Sequence, residues 1–247
     1  MQRYKLTIEY DGTPYCGFQK QLDIEQKSVE AVLENAIFLL SQEQVKIFAS
    51  GRTDAGVHAL GQVVHFDLNK NFAAHQIVLG LNHYLISEAV VAIACELVDQ
   101  NFRARFDAKQ RSYCYKILNR IAPPTLSRQR VWHVSKNLDL EEMKKASQFL
   151  IGNHDFSSFR DSECQAQTAV RTVNSIEIIK NDEEIFIKVS AKSFLHHMVR
   201  NIVGTLVFVG LGKFSAEYMR EILESRNRTR SGPNAPAYGL YLERVDY

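Results

Sequence analysis

This chain of 247 residues is poor in the features that mark small secreted scaffolds, membrane proteins and disordered proteins. Its four cysteines, Cys16, Cys95, Cys114 and Cys164, show no paired spacing, which argues against a disulfide framework and a structural zinc site. Five prolines and the lack of any low-complexity tract argue against a long disordered segment. The longest apolar stretch, around Met198–Leu211, is interrupted by Arg200 and Asn201 and is too short to span a bilayer. The first residues, Met1-Gln2-Arg3-Tyr4-Lys5-Leu6, lack the apolar run of a secretory signal. These absences predict a reduced, cytoplasmic protein with no membrane attachment. What remains is ordinary for a folded protein with a sizeable core: 45% apolar and 23% charged residues.

The net charge of +2 conceals an asymmetry. Between Asn101 and Arg130 lie eight basic residues, Arg103, Arg105, Lys109, Arg111, Lys116, Arg120, Arg128 and Arg130, opposed only by Asp107. That segment carries +7, so the rest of the chain carries −5 by subtraction. A basic stretch of this kind is the expected footprint of a polyanion, because each neutralised phosphate releases counterions. Phe102, Phe106, Tyr113 and Tyr115 are interleaved with these cations, and aromatic rings among cations suit unstacked bases. A merely solvated basic face is the alternative. Arg226, Arg228 and Arg230, before Ser231-Gly232-Pro233, pose the same choice between a solvated face and a contact to RNA backbone.

Periodicity predicts an α+β protein. Tyr4, Leu6, Ile8 and Tyr10 alternate with polar residues, giving a strand that ends at Asp11-Gly12. Val29, Val32, Leu33, Ala36, Ile37 and Leu40 recur at helical spacing behind Ser28, a good N-cap. Strands are expected at Val45–Ala49, Gln62–Leu68 and Ala89–Leu97, with a short helix near Ala74–Tyr84. In the second half, Tyr113, Tyr115 and Ile117 alternate with Cys114 and Lys116. Asp139 and Glu142 resemble a capping box before a helix lined by Leu140, Met143, Ala146 and Leu150. Strands at Val170–Ile179 and Glu184–Ala191 flank a turn at Asn181-Asp182, helices follow at His196–Val209 and Ser215–Ser225, and a last strand runs over Gly239–Val245. Each half reads β, α, β, β, α, β, which predicts two related α/β subdomains, residues 1–107 and 108–247, with mixed, mainly antiparallel sheet.

Two segments carry the chemistry. Ser50–Gly61 presents one carboxylate, Asp54, in a loop with three glycines between two apolar runs, a composition suited to displaying a side chain to a bulky ligand. Arg52, two residues earlier, supplies a cation that keeps the acid ionised or holds a ligand phosphate. The alternative is a tight turn whose aspartate caps nearby amides. The loop is not a P-loop, since it lacks a Gly-Lys-Ser/Thr ending. The second segment is the helix around Met198–Val209, where Arg200 must either snorkel to the surface or find an acid. Asp54 is the carboxylate most in need of such a partner, so a pair between Arg200 and Asp54 is expected. His196-His197 on one helix would point about 100° apart and chelate badly, so no metal site is expected. His58 and His65 read as hydrogen-bonded structural or RNA-contacting residues rather than general bases.

These motifs closely resemble the tRNA pseudouridine synthase A family. The resemblance rests on Ile8-Glu9-Tyr10-Asp11-Gly12, Gly51-Arg52-Thr53-Asp54-Ala55-Gly56-Val57-His58, Gly61-Gln62-Val63-Val64-His65-Phe66 and Phe102-Arg103-Ala104-Arg105-Phe106. It continues through Asn153-His154-Asp155-Phe156, Phe194–Gly204 and Gly239-Leu240-Tyr241-Leu242, and so runs from Tyr4 to Tyr247. It implies the pseudouridine synthase fold with an active-site cleft between the subdomains, a homodimer, and conversion of uridine to pseudouridine in the anticodon stem-loop of tRNA (family positions 38, 39 and 40). Asp54 then corresponds to the nucleophile and Tyr113 to the aromatic residue against the target base. Arg52 and Arg200 correspond to active-site cations and Leu240 to an apolar wall of the pocket. Departures from the family pattern are Phe18 for a usual tryptophan, Arg103 for a frequent histidine, and Leu85-Ile86 for Leu-Pro.

The reaction fits these residue types. It breaks the N1–C1′ bond, turns the base and rejoins it through C5, so no cofactor, redox group or metal is required. A single carboxylate serves as nucleophile at C1′ of the ribose or C6 of the base. Tyr113 would stack on the uracil and accept a proton at C5, or else pack on the strand with Tyr115 and Ile117. Extruding a base costs a few kcal/mol, which contacts from Arg103, Arg105, Lys109 and Arg111 to RNA would offset. A noncatalytic RNA-binding module and a carboxylate-dependent N-glycosidase are the rival readings. The glycosidase would release free uracil.

Overall fold

The computed structural model describes residues 1–21, 25–164 and 166–247. The chain divides into two compact units, Met1–Lys109 together with Tyr241–Tyr247, and Gln110–Leu240. This division differs from one drawn at 107/108 in where it places the last strand.

The first unit contains β1 (Gln2–Tyr10), α1 (Val29–Ser41), β2 (Phe48–Ala49), β3 (His58–Leu68), α2 (Ala74–Tyr84) and β4 (Val90–Val98). β1 pairs antiparallel with both β3 and β4, burying Tyr4, Leu6, Ile8 and Tyr10 as their alternation requires. α1 starts where Ser28 Oγ accepts from Ala31 N at 3.1 Å, and it buries Val29, Val32, Leu33, Ala36 and Ile37. Two strand bounds differ from expectation. β2 is only two residues long, because Ile47 turns inward and its amide donates to Glu34 Oε1 at 3.1 Å. β3 begins at His58 rather than Gln62, its first turn paired in parallel with Tyr241 and Leu242.

The second unit contains β5 (Gln110–Leu118), β6 (Trp132–His133), α3 (Leu140–Gln148), β7 (Gly152–Asp155), β8 (Val170–Asn181), β9 (Glu184–Ala191), α4 (Met198–Gly210) and α5 (Tyr218–Ser225). Its sheet runs β5-β9-β8-β7 with antiparallel neighbours, and β6 adds to β5 in parallel. The segment β10 (Leu240–Asp246) closes the element order. Asp139 caps α3 by accepting from the Glu141 and Glu142 amides, both at 3.1 Å. The expected box is only half made, because Glu142 turns to Lys145 and the Asp139 amide donates to Gly210 O. α4 is enclosed on nearly every side, with Arg200 and Phe208 its only residues not fully buried. It starts after His197, whose φ of 60° keeps His196 and His197 off the helix. Within both units the sheet is mixed and mainly antiparallel.

Candidate active site

In the first unit, Asp54 lies half-buried in the loop 50–57 between β2 and β3. The loop is tied down on two flanks. On one, Ser50 N donates to Val63 O (2.8 Å), the Ser50 hydroxyl donates to Gln62 Oε1 (2.6 Å), and Gln62 Nε2 donates to Gly51 O (2.8 Å). On the other, Gly17 and Asp54 form an isolated antiparallel bridge, and Phe18 N donates to Thr53 O at 3.0 Å. Gly17 has φ +117°, and a Cβ there would lie 2.9 Å from Thr53 O, so glycine answers both a backbone and a packing demand. Gly12 approaches closer still: a Cβ would lie 2.0 Å from the Val57 carbonyl oxygen.

The turn inside the loop is closed by main chain, Val57 N donating to Asp54 O at 3.2 Å, with Gly56 at φ +77°. Turn formation therefore does not require the Asp54 carboxylate. Beneath the loop, the Tyr10 hydroxyl and Thr53 Oγ1 lie 2.8 Å apart, and burial pushes the Tyr10 phenol up to about 12. His58 is buried, its Nδ1 taking the Gly12 amide at 3.1 Å and facing Asp11 Oδ1 at 3.0 Å, and its ring stacks on Tyr241. His58 thus supports the loop's surroundings structurally. Arg52 is exposed, and among the described residues no hydrogen bond or ion pair engages its guanidinium.

In the second unit, Tyr113 is nearly buried on β5, opposite Val189, with the Phe194 ring set edge-on at 5.2 Å. Arg200 occupies the first turn of α4. Its Nε donates to Ala235 O at 2.8 Å, and Ala235 N returns a bond to Arg200 O at 3.2 Å. The loop that receives it sits against the helix so closely that a Cβ on Gly204 would lie 1.7 Å from Pro233 O. Asn201 completes the anchorage, donating to Phe159 O and accepting from Arg228 Nη2, at 2.9 and 2.8 Å. Leu240 is buried at the start of β10.

The candidate RNA contacts divide. Arg103, Arg105 and Lys109 are exposed, whereas Arg111 is buried and bonds the Lys192 carbonyl, so the exposed basic face does not include it. The interleaved aromatics also depart from expectation. Tyr115 is fully buried, its hydroxyl on Pro236 O at 2.7 Å, and Phe102 packs against Tyr247 and His65. Phe106 is the most exposed of the four at 70%, with Arg105 beside its ring at 5.9 Å. Alternation on a strand buries every second side chain whatever the neighbouring charges.

Tyr10, Gly12 and Gln62 stand in motifs of the sequence, but neither they nor Gly17 are assigned there to holding the loop. The two glycines ahead of α1 were the available signal. Sequence reasoning also placed His196 and His197 on a helix. Their rings instead stack at 3.9 Å, and His197 Nδ1 meets Asp161 Oδ2 at 2.6 Å. A hydrogen bond from the Glu163 amide, then the His197 contact, hold the Asp161 carboxyl below its usual range.

Among the described residues no helix is long and apolar enough to cross a membrane. A family model described as tRNA pseudouridine synthase matches residues 6–107 and 146–247, well over half the chain. Proteins named tRNA pseudouridine synthase A from Anaplasma marginale (strains Florida and St. Maries) are each 51% identical over 246 residues. One of the same name from Anaplasma phagocytophilum (strain HZ) is 49% identical over 245. Each alignment covers 99% of this chain and 100% of the relative.

Proposed function

We propose that this chain, which belongs to the tRNA pseudouridine synthase family, isomerises uridine to pseudouridine in the anticodon stem-loop of tRNA with Asp54 as its nucleophile. The observation that carries the assignment of Asp54 is its setting: a carboxylate on a loop whose backbone is fixed by Gly12, Gly17, Thr53 and Gln62, while the turn itself is closed without the side chain. A nucleophile held in this way loses little entropy on reaching its target.

Asp54 adds to the nucleoside, at C1′ or at C6, while the everted uracil lies against Tyr113. The base, detached by cleavage of N1–C1′, turns and rejoins C1′ through C5; the Asp54 carboxylate is released, N1 gains a proton, and the C5 proton passes to a base, for which the Tyr113 phenol oxygen is the candidate. Arg200 binds the substrate, Arg52 takes a phosphate of the extruded nucleotide, and Leu240 walls the pocket. Arg103, Arg105 and Lys109 contact the RNA backbone. The enzyme works in the cytoplasm as a homodimer and needs neither cofactor nor metal, since no electron or group is exchanged with solvent.

The test is Asp54→Ala assayed on unmodified tRNA. Pseudouridine formation should fall below detection while tRNA affinity stays within a few-fold of wild type. Unimpaired turnover by the variant would refute the assignment, and release of free uracil by the wild type would refute isomerisation.

A further inference from the structure

The three arginines before Ser231 do not share one fate. Arg230 is absorbed locally, its guanidinium on the Tyr218 hydroxyl and Glu221. Arg226 and Arg228 instead line, with Arg160, an open cavity of about 560 Å³ made wholly of second-unit residues. Asp161 is the one acid in its lining, and its two oxygens already serve His197 and the Glu163 amide.

The arginines are correspondingly short of counter-charge. Arg228 bonds only neutral acceptors, Ser231 Oγ, Gly232 O and Asn201 Oδ1. Arg160 donates to the Cys164 carbonyl, and among the described residues neither has an ion pair with a carboxylate. Arg226 meets Asp155 Oδ2 at 3.3 Å, while Asp155 Oδ1 takes the Ser157 amide and hydroxyl, and the Arg226 side chain stays 69% exposed. Burial lowers the Arg228 pKa by more than the nearby Asp161 carboxylate raises it. Arg226 moreover ends α5 at φ 50°, a left-handed position where glycine or asparagine would be cheaper. A side chain kept at such a position points to a use for its guanidinium. Planar guanidiniums facing open space match the paired oxygens of a phosphodiester.

We infer that Arg160, Arg226 and Arg228 form a subsite for the phosphodiester backbone of the tRNA. The inference rests on the proposed function, since it takes the same RNA as its ligand. The subsite adds affinity and not chemistry, because none of the three arginines belongs to the catalytic set.

The experiment uses the full chain with Arg160→Gln and Arg226→Gln together, and with Arg226→Gln alone as the variant least able to disturb the fold. Binding of tRNA is measured by fluorescence anisotropy across a salt series. Loss of two phosphate contacts should weaken binding several-fold and reduce the slope of log affinity against log salt by about 2, and by about 1 for the single variant. The single-turnover rate at saturating protein should stay at the wild-type value. Unchanged affinity and salt slope in both variants would overturn the subsite, as would a fall in the saturated rate with affinity intact. Uridine monophosphate distinguishes a free nucleotide from RNA. A thermal shift with it that depends on these arginines, beside unchanged tRNA affinity, would also overturn the proposal. Wild-type turnover in the same series tests the proposed function separately.

Discussion

Replacing Gly204 with alanine sets two physical effects against each other. Inside a helix, Gly→Ala ordinarily stabilises by about 0.8–1.0 kcal/mol. Here the new Cβ would lie 1.7 Å from Pro233 O and 2.9 Å from Pro233 C, backbone atoms that cannot rotate away. The segment 232–235 must therefore withdraw from α4 by more than an ångström, and three hydrogen bonds oppose this. They are Gly232 N to Thr205 Oγ1 (3.0 Å), Ala235 N to Arg200 O (3.2 Å) and Arg200 Nε to Ala235 O (2.8 Å). Overpacking costs about 1–3 kcal/mol, and each lost bond about 1 kcal/mol. Set against the propensity gain, Gly204→Ala with all three bonds lost should destabilise by about 3–5 kcal/mol, lowering Tm by roughly 6–20 °C for a chain of this size. Calorimetry reads the melting change, and pseudouridine formation should fall with it, because the Ala235 carbonyl that holds Arg200 moves. Gly210→Ala is the control: its Cβ would meet the flexible Met143 side chain at 2.6 Å, and its cost should be smaller. An unchanged or raised Tm for Gly204→Ala would refute the packing argument.

Gly17→Ala should cost about 1–2 kcal/mol for the left-handed backbone alone and slow pseudouridine formation without weakening tRNA binding. A variant rate equal to wild type would show that the bridge to Asp54 is dispensable. Burial, reinforced by Arg3, holds the His65 imidazole below its usual value while its Nδ1 accepts the Ala104 amide at 3.2 Å. The unfolded chain therefore binds this proton more readily. The stability that the neutral ring contributes is fully present above about pH 6.5 and is lost as pH falls through the folded-state value. Urea melts should show this acid-side loss, and His65→Gln should flatten it. An imidazole resonance titrating at or above 6.5 in the folded protein would contradict it.

Much of the architecture can be read from single residues. Ser28 marks the start of α1, the alternation from Tyr4 to Tyr10 gives β1, and the polar turn at Asn181-Asp182 divides β8 from β9. The failures share a cause, long-range contact overriding local pattern. His58, Ala59 and Leu60 look like loop beside Gly61, yet they are strand because Tyr241 and Leu242 pair with the first two of them. Tyr115 reads as a base-stacking ring among cations, but Pro236 and Gly239 enclose it. The Asp54 loop was visible through its glycines. The groups that fix it were not, because Gly12 and Gly17 lie some forty residues away in sequence.

The placement of β10 has a bearing on biosynthesis. Residues 241–247 belong with Met1–Lys109, so the whole second unit is threaded between the start of the first and its final strand. Tyr241 and Leu242 lie beside His58 and Ala59, the Asp246 carbonyl takes the Lys109 amide at 2.8 Å, and the Tyr247 hydroxyl reaches Ala104 O at 2.8 Å. A nascent chain on the ribosome exposes the body of the first unit while the whole second unit is still to be made, so the first waits for its closing strand. During that interval the edge of β3 near His58 stays open to chaperones or to other chains, so the unit made first is completed last.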